Sequence, residues 1–563
     1  MDRETRRWLE GYRRDEAGPI ENALIDDLAS GELDRAEFLQ RASVIGLSAT
    51  TIGAALGVFG HAPLARAATG AVKVGGRIKV AIIPPPAHGL DPHTYMDQGS
   101  LETGGIAGEF LTRATQSLKL LPELATSWTP NKNASMWTFK LRPNVKFQNG
   151  KTMDADDVVA TFKRLVGDPS SQALSAFKGV LGPDGVTKVD NLTVQFKLDA
   201  PTASFPYLTS STTYQAIVLP ADYKLGTFEK EPQTTGAFKL TQYTPGVGAK
   251  YDRFTGWWGG HAPLDGIDVT YYSDDAATSA ALLGKQVDLI GQIQFATGRP
   301  LFGNPNVQIF ATRGATHREV PMRVDLQNPL KDWRVRQAIA LTLDRPAIVK
   351  TLFDNRADLG NDSPFAPVYP STAKVPQRHK DLRKAKQLME AAGVGKGFSI
   401  QLVTEQTGEI PQLAQIIQRS VRAIGIKMSL KILTSTAYFA GTQTGPPTGW
   451  GNTPWLNAPM NITDWGHRAV PNVYLVSALQ TKGVWNAAHY ANKAFDRASK
   501  SYVGAIALKD QQKYAKQLET ILLHDTPVIF PYFYNYLAAG SKSVKGYQAD
   551  ALGQVYLSKT SLA

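Results

Sequence analysis

The stretch Phe398–Leu433 constrains the architecture most. It reads as a β-branched run (FSIQLVT), an amphipathic segment (PQLAQIIQRSVRAIG) and a second β-branched run (IKMSLKIL). Pro411 suits the first turn of a helix and Gly425 suits a helix stop. Strand, helix and strand in succession form a βαβ unit, which requires a parallel sheet in the second half of the chain.

Other segments alternate in the same way. Short runs rich in branched and aromatic residues, Gly76–Ile83, Ser135–Arg142, Leu192–Leu198, Ala237–Tyr243 and Ile267–Tyr272, predict strands. Asn149-Gly150 predicts a tight turn. Asp154–Val166 opens on carboxylates and places Val158, Val159, Phe162 and Leu165 on one side, predicting an amphipathic helix. Trp333–Phe353, with a break expected at Pro346, and Lys509–His524 predict two more helical stretches. The class is α/β. At 563 residues the chain exceeds one ordinary core, so two or three domains are expected.

The N-terminus has a different character. Ser43–Gly60 carries no charge over 18 positions, Arg41 precedes it, and Ala65-Arg66-Ala67 follows as a small-x-small site. This is the pattern of a secretory signal cleaved near Ala67. The segment Asp34–Leu39 is similar to a twin-arginine pattern with Ala36 in place of the second arginine. An uncleaved helical anchor is the alternative. Cleavage would leave 496 residues with a net charge of +15, against +12 for the whole chain.

No catalytic constellation emerges. The absence of cysteine excludes disulfides, thiolate metal sites and cysteine nucleophiles. Neither G-x-G-x-x-G nor G-x-S-x-G occurs, the nine histidines form no metal-spaced pair on a helix, and no cofactor motif is present. The basic residues are scattered with no run longer than two, which argues against nucleic acid as the partner. A large exported chain without catalytic signature suits a binder.

Leu118–Leu165 supplies a more specific signal. It contains Pro122-Glu123-Leu124-Ala125 and Trp128, then Phe139-x-Leu141-Arg142, Val145-x-Phe147, Gly150 and Ala155-x-Asp157-Val158. This closely resembles the signature of family 5 extracellular solute-binding proteins, the dipeptide-, oligopeptide- and nickel-binding proteins of ABC importers. Further blocks follow in the family's order: Leu90-Asp91-Pro92-His93, Gly236–Leu240 with Trp257-Trp258, Gln286–Leu289, Asp332–Ile339 with Asp344-Arg345, and Trp485-Asn486 through Pro527–Ile529.

The resemblance implies a two-lobed periplasmic-binding-protein clamshell with an additional subdomain inserted in lobe one. Lobe one would combine residues 75–110, 233–320 and 529–563. The subdomain would span 111–232 and lobe two 321–528, behind an export signal at 1–67. The hinge would lie in crossovers near Val320–Asp325 and Pro527–Tyr532. The implied role is that of a monomeric periplasmic protein that passes a peptide or amino-acid-derived solute to an inner-membrane ABC permease, without catalysis or cofactor. A metal chelate or other non-peptide solute is the alternative, and an exported hydrolase the alternative activity.

In peptide-binding members a lobe-two aspartate pairs with the ligand's α-amine, and Asp464 stands at the matching position. A carboxylate and an ammonium satisfy each other on desolvation. Arg468 is a candidate partner for a ligand carboxylate, because a guanidinium binds carboxylates bidentately. His467 beside Asp464 is the one feature in favour of a metal complex. Trp450, Trp455 and Trp465 cluster in Gly- and Pro-rich sequence and are expected to line a pocket, with Tyr95 approaching from the opposite lobe.

Overall fold

The computed structural model describes residues 3–15, 17, 19–35, 38, 42, 49–59, 73–85, 89–441 and 451–563. The chain divides into two compact units, Met1–Val72 and Lys73–Ala563. The first contains the helices Arg3–Asp15, Pro19–Ser30 and Ala49–Val58 around Leu9, Ile25, Leu28 and Leu56. Ala49–Val58 falls within the expected apolar signal; the site at Ala65–Ala67 lies outside the described residues. Among the described residues no helix is long and apolar enough to cross a membrane.

The second unit holds two large sheets. The first runs, in spatial order, Val307–Thr312, Tyr536–Ser541, Leu289–Ile290, Arg77–Ile82, Gly266–Tyr271, Gly248–Arg253 and Phe238–Thr244. Arg77–Ile82 at its centre pairs in parallel with both neighbours, and its Ile78, Val80 and Ile82 are buried. The second sheet runs Ala357–Leu359, Tyr532–Tyr534, His317–Pro321, Met460–Trp465, Ser399–Glu405 and Lys427–Leu433, with Val528–Ile529 also on His317–Pro321.

The βαβ unit forms as its sequence requires. Ser399–Glu405 pairs in parallel with Lys427–Leu433 along its length. The intervening helix Ile410–Val421 buries Leu413, Ala414 and Ile417 against the sheet, and Gly425 turns the chain at φ +79°. The expected break between Trp333 and Phe353 occurs before Pro346. One helix ends at Leu341, and Asp344 caps the next by accepting from the Ala347 N–H at 3.2 Å, with Pro346 in the first turn.

A four-stranded antiparallel sheet, Ala125–Pro130, Met136–Leu141, Thr193–Lys197 and Val186–Asp190, stands apart from the two large ones. Trp137, Phe139 and Leu141 alternate inward, and Phe196 packs on Phe139 at 5.3 Å and on Phe162 at 5.0 Å. Phe162 comes from helix Ala155–Gly167, which Asp154 and Asp157 close with a reciprocal capping box.

The chain passes between the large sheets at two adjacent points. It leaves the first sheet at Thr312 and joins the second at His317; it returns from Tyr534 to Tyr536 across Asn535. Thr312 pairs with Tyr536 and His317 with Phe533, so the passages run side by side. The segments expected to cross lie within or beside the second sheet instead, where Val320 pairs with Ile529. Their apolar character is that of a buried strand pair.

Candidate functional site

In the strand Met460–Trp465 five residues are buried and one, Asp464, is exposed. Its antiparallel partner His317–Pro321 carries three titratable residues in succession, and the register sets Arg318 opposite Asp464. Arg318 is only 4 % exposed. Its guanidinium pairs with the Asp464 carboxylate, lies 2.9 Å from Glu409 through Nε and donates to the Tyr534 hydroxyl at 2.9 Å. Its Cζ sits 4.7 Å over the Tyr534 ring. Burial works against this charge, but Asp464, Tyr534 and Glu409 outweigh it and raise the guanidinium pKa above its ordinary value. Two carboxylates share one guanidinium, so the cluster has one formal negative charge in excess.

Asp464, Glu409 and Tyr534 form part of the wall of a cavity of about 780 Å³. Gln294, Tyr536 and Leu537, from the side of the first sheet, contribute to the same wall. The volume lies within the ~300–1,000 Å³ usual for small-molecule sites.

Gly466-His467-Arg468 continues from the strand along this wall. Tyr474 and Tyr369 fix the turn by donating to the carbonyls of Gly466 and Arg468 at 2.6 and 2.7 Å. His467 Nδ1 accepts the Ala315 N–H at 2.9 Å, which assigns the ring proton to Nε2. Burial, reinforced by the Arg468 charge, pushes this imidazole down to about 3, so it is neutral at physiological pH. Arg468 donates to the His467 carbonyl at 2.8 Å and makes no ion pair with a described carboxylate.

The structure therefore brings Asp464, His467 and Arg468 together on one cavity. It does not bring Trp455, Trp465 or Tyr95 there. Trp465 is 7 % exposed and packs edge-on against Tyr474 at 5.6 Å and Trp485 at 5.7 Å. Trp455 sits in the short helix Pro454–Asn457 and packs against Phe439 at 6.1 Å. Tyr95 is 1 % exposed in the core of the first sheet, its ring against Gly104. These residues occupy regular or tightly packed segments, whereas the expectation treated them as loop residues. Trp450 lies outside the described residues.

Sequence reasoning missed Arg318, Glu409 and Tyr534. One signal was available: His317-Arg318-Glu319 sets three titratable residues in succession just before Val320-Pro321-Met322, and such a run is costly to bury unless each charge has a partner. Among the described residues no group of three His, Asp or Glu side chains could hold a metal ion.

Comparison with known proteins follows the same line. The model of "Bacterial extracellular solute-binding proteins, family 5 Middle" matches residues 119–487. The glutathione-binding protein GsiB of Escherichia coli (strain K12) is 26 % identical over 475 residues, covering 81 % of this chain and 89 % of the relative. The structure of HbpA2 from Haemophilus parasuis superposes with a TM-score of 0.75 at 20 % identity, over 87 % of this chain and 100 % of that one. The periplasmic binding protein DppA from Helicobacter pylori, in complex with the peptide STSA, gives 0.67 at 20 % identity, over 87 % and 98 %. These likenesses identify the fold as the two-lobed clamshell.

Proposed function

The chain belongs to the family 5 bacterial extracellular solute-binding proteins, and from that premise we propose that it captures a peptide-like, amino-acid-derived solute in this cavity and delivers it unchanged to the permease of an ABC importer. The observation that carries the reading is the Arg318 cluster, in which two carboxylates on the cavity wall share one guanidinium. A solute ammonium placed against Asp464 neutralises the excess negative charge. Arg468, without an ion-pair partner among the described residues, receives the solute carboxylate, and the His467 Nε2–H donates a further hydrogen bond. Relatives that bind glutathione and the peptide STSA support an amino-acid-derived ligand. The protein acts as a monomer in the periplasm, directed there by the Ser43–Gly60 signal with cleavage near Ala67.

Isothermal titration of the protein with L-alanyl-L-glutamine and with its N-acetyl derivative tests this. The free dipeptide binds and is recovered intact, and the acetylated one, which has no ammonium, does not bind. Equal binding of the two removes the amine from the recognition scheme.

A further inference from the structure

The helix of the βαβ unit has a polar stripe that sheet packing leaves unexplained. Ile410, Leu413, Ala414, Ile417 and Val421 are buried. Gln412, Gln415, Ile416 and Arg419 recur at the spacing of a single helix face, and all four line the cavity. Arg299 lines the same cavity from the short 3₁₀ turn Arg299–Leu301, its Cζ 5.4 Å from the Phe295 ring. Arg356 joins them, 4.7 Å over Phe302 and 2.7 Å from Asp354.

The charges on the cavity wall are unbalanced. Its acidic residues, Asp464 and Glu409, are both engaged by Arg318. Of its arginines, only Arg356 has a described carboxylate partner; Arg299, Arg419 and Arg468 have none. One carboxylate at Arg468 would leave Arg299 and Arg419 without a counter-charge in a concave site, where low-dielectric walls focus the field of like charges.

Resting on the amine-and-carboxylate reading above, we propose that the cavity contains a second anion subsite formed by Arg419 and Arg299. The solute is then an amino-acid conjugate with at least two acid groups, its distal carboxylate held by these guanidinium groups and its amide groups by Gln412 and Gln415. The subsite sets specificity among peptide-like solutes by charge as well as by size.

L-alanyl-L-glutamate and L-alanyl-L-glutamine form a near-isosteric pair that differs by one carboxylate. Titrated calorimetrically into the full chain at low salt, the glutamate dipeptide binds about tenfold more tightly, the scale of one charge-assisted hydrogen bond. In the double variant Arg299→Gln/Arg419→Gln the ratio of the two affinities collapses toward one. Both substitutions are at exposed positions, and a thermal melt checks that the variant remains folded. If the wild type binds both dipeptides alike, or the ratio survives the double variant, the second subsite is overturned while the amine site stands. If neither dipeptide binds, the amine reading fails and the subsite fails with it.

Discussion

Replacing Asp464 by asparagine separates recognition from stability. The side chain is 40 % exposed, so solvent already screens its pair with Arg318, and losing that pair costs about 1 kcal/mol or less. Arg318 does not become orphaned, because it keeps Glu409 at 2.9 Å and the Tyr534 hydroxyl at 2.9 Å. The solute ammonium, however, loses a charged hydrogen-bond partner worth about 1.5–3 kcal/mol, or roughly 10- to 150-fold in affinity. Calorimetry with L-alanyl-L-glutamine reads the second quantity and urea denaturation the first. Arg318→Met is the control in the opposite sense. It leaves two carboxylates facing each other without their cation, and because Asp464 is 40 % and Glu409 18 % exposed, solvent screening holds the cost to about 2–3 kcal/mol. An Asp464→Asn protein that binds within about twofold of wild type refutes the reasoning. So does one whose stability falls as far as that of Arg318→Met.

Three further outcomes follow from local physics. The His467 pKa is lowered to about 3 in the fold, against an ordinary value near 6.5. The unfolded chain therefore gains a proton that the native chain refuses as pH falls below 6.5; at pH 5 the wild type loses about 2 kcal/mol of stability that His467→Gln retains, read by urea denaturation at pH 7.5 and 5. Burial raises the Glu102 carboxyl to about 8 despite hydrogen bonds from Gln98 and Tyr536. Its contribution is full below about 4.5 and declines by about 1.4 kcal/mol per pH unit up to 8, so Glu102→Gln flattens that slope in the same assay. Asp154→Ala removes the capping box of Ala155–Gly167 and costs about 1 kcal/mol in denaturant unfolding.

What could be read in advance depended on the range of the interaction. The βαβ unit at Phe398–Leu433 is decided by neighbouring residues, and its strands, its helix and the Gly425 turn all form. The break between the helices at Trp333 and Phe353 was foreseen, but the Asp344 cap rather than the proline sets its position. Asp464, His467 and Arg468 are close in sequence and meet on one wall. Arg318 is 146 residues from Asp464, and their meeting depends on strand register that no local pattern encodes. Trp455 and Trp465 lie off the cavity for a related reason. Trp465 ends a strand and faces Tyr474 and Trp485 in the core, and the surrounding glycines and prolines gave no warning of it. The polar stripe Gln412–Gln415–Arg419 was visible as a helix face, but only the fold reveals that the face borders a cavity.

The most direct test of the central claim is mass spectrometry of the small molecules released on denaturing protein purified without added ligand, wild type beside Asp464→Asn. The account predicts an amino-acid-derived solute with a free amine in the wild type, strongly depleted in the variant. A solute without an amine, such as a sugar or a metal complex, carried equally by both proteins, would contradict it.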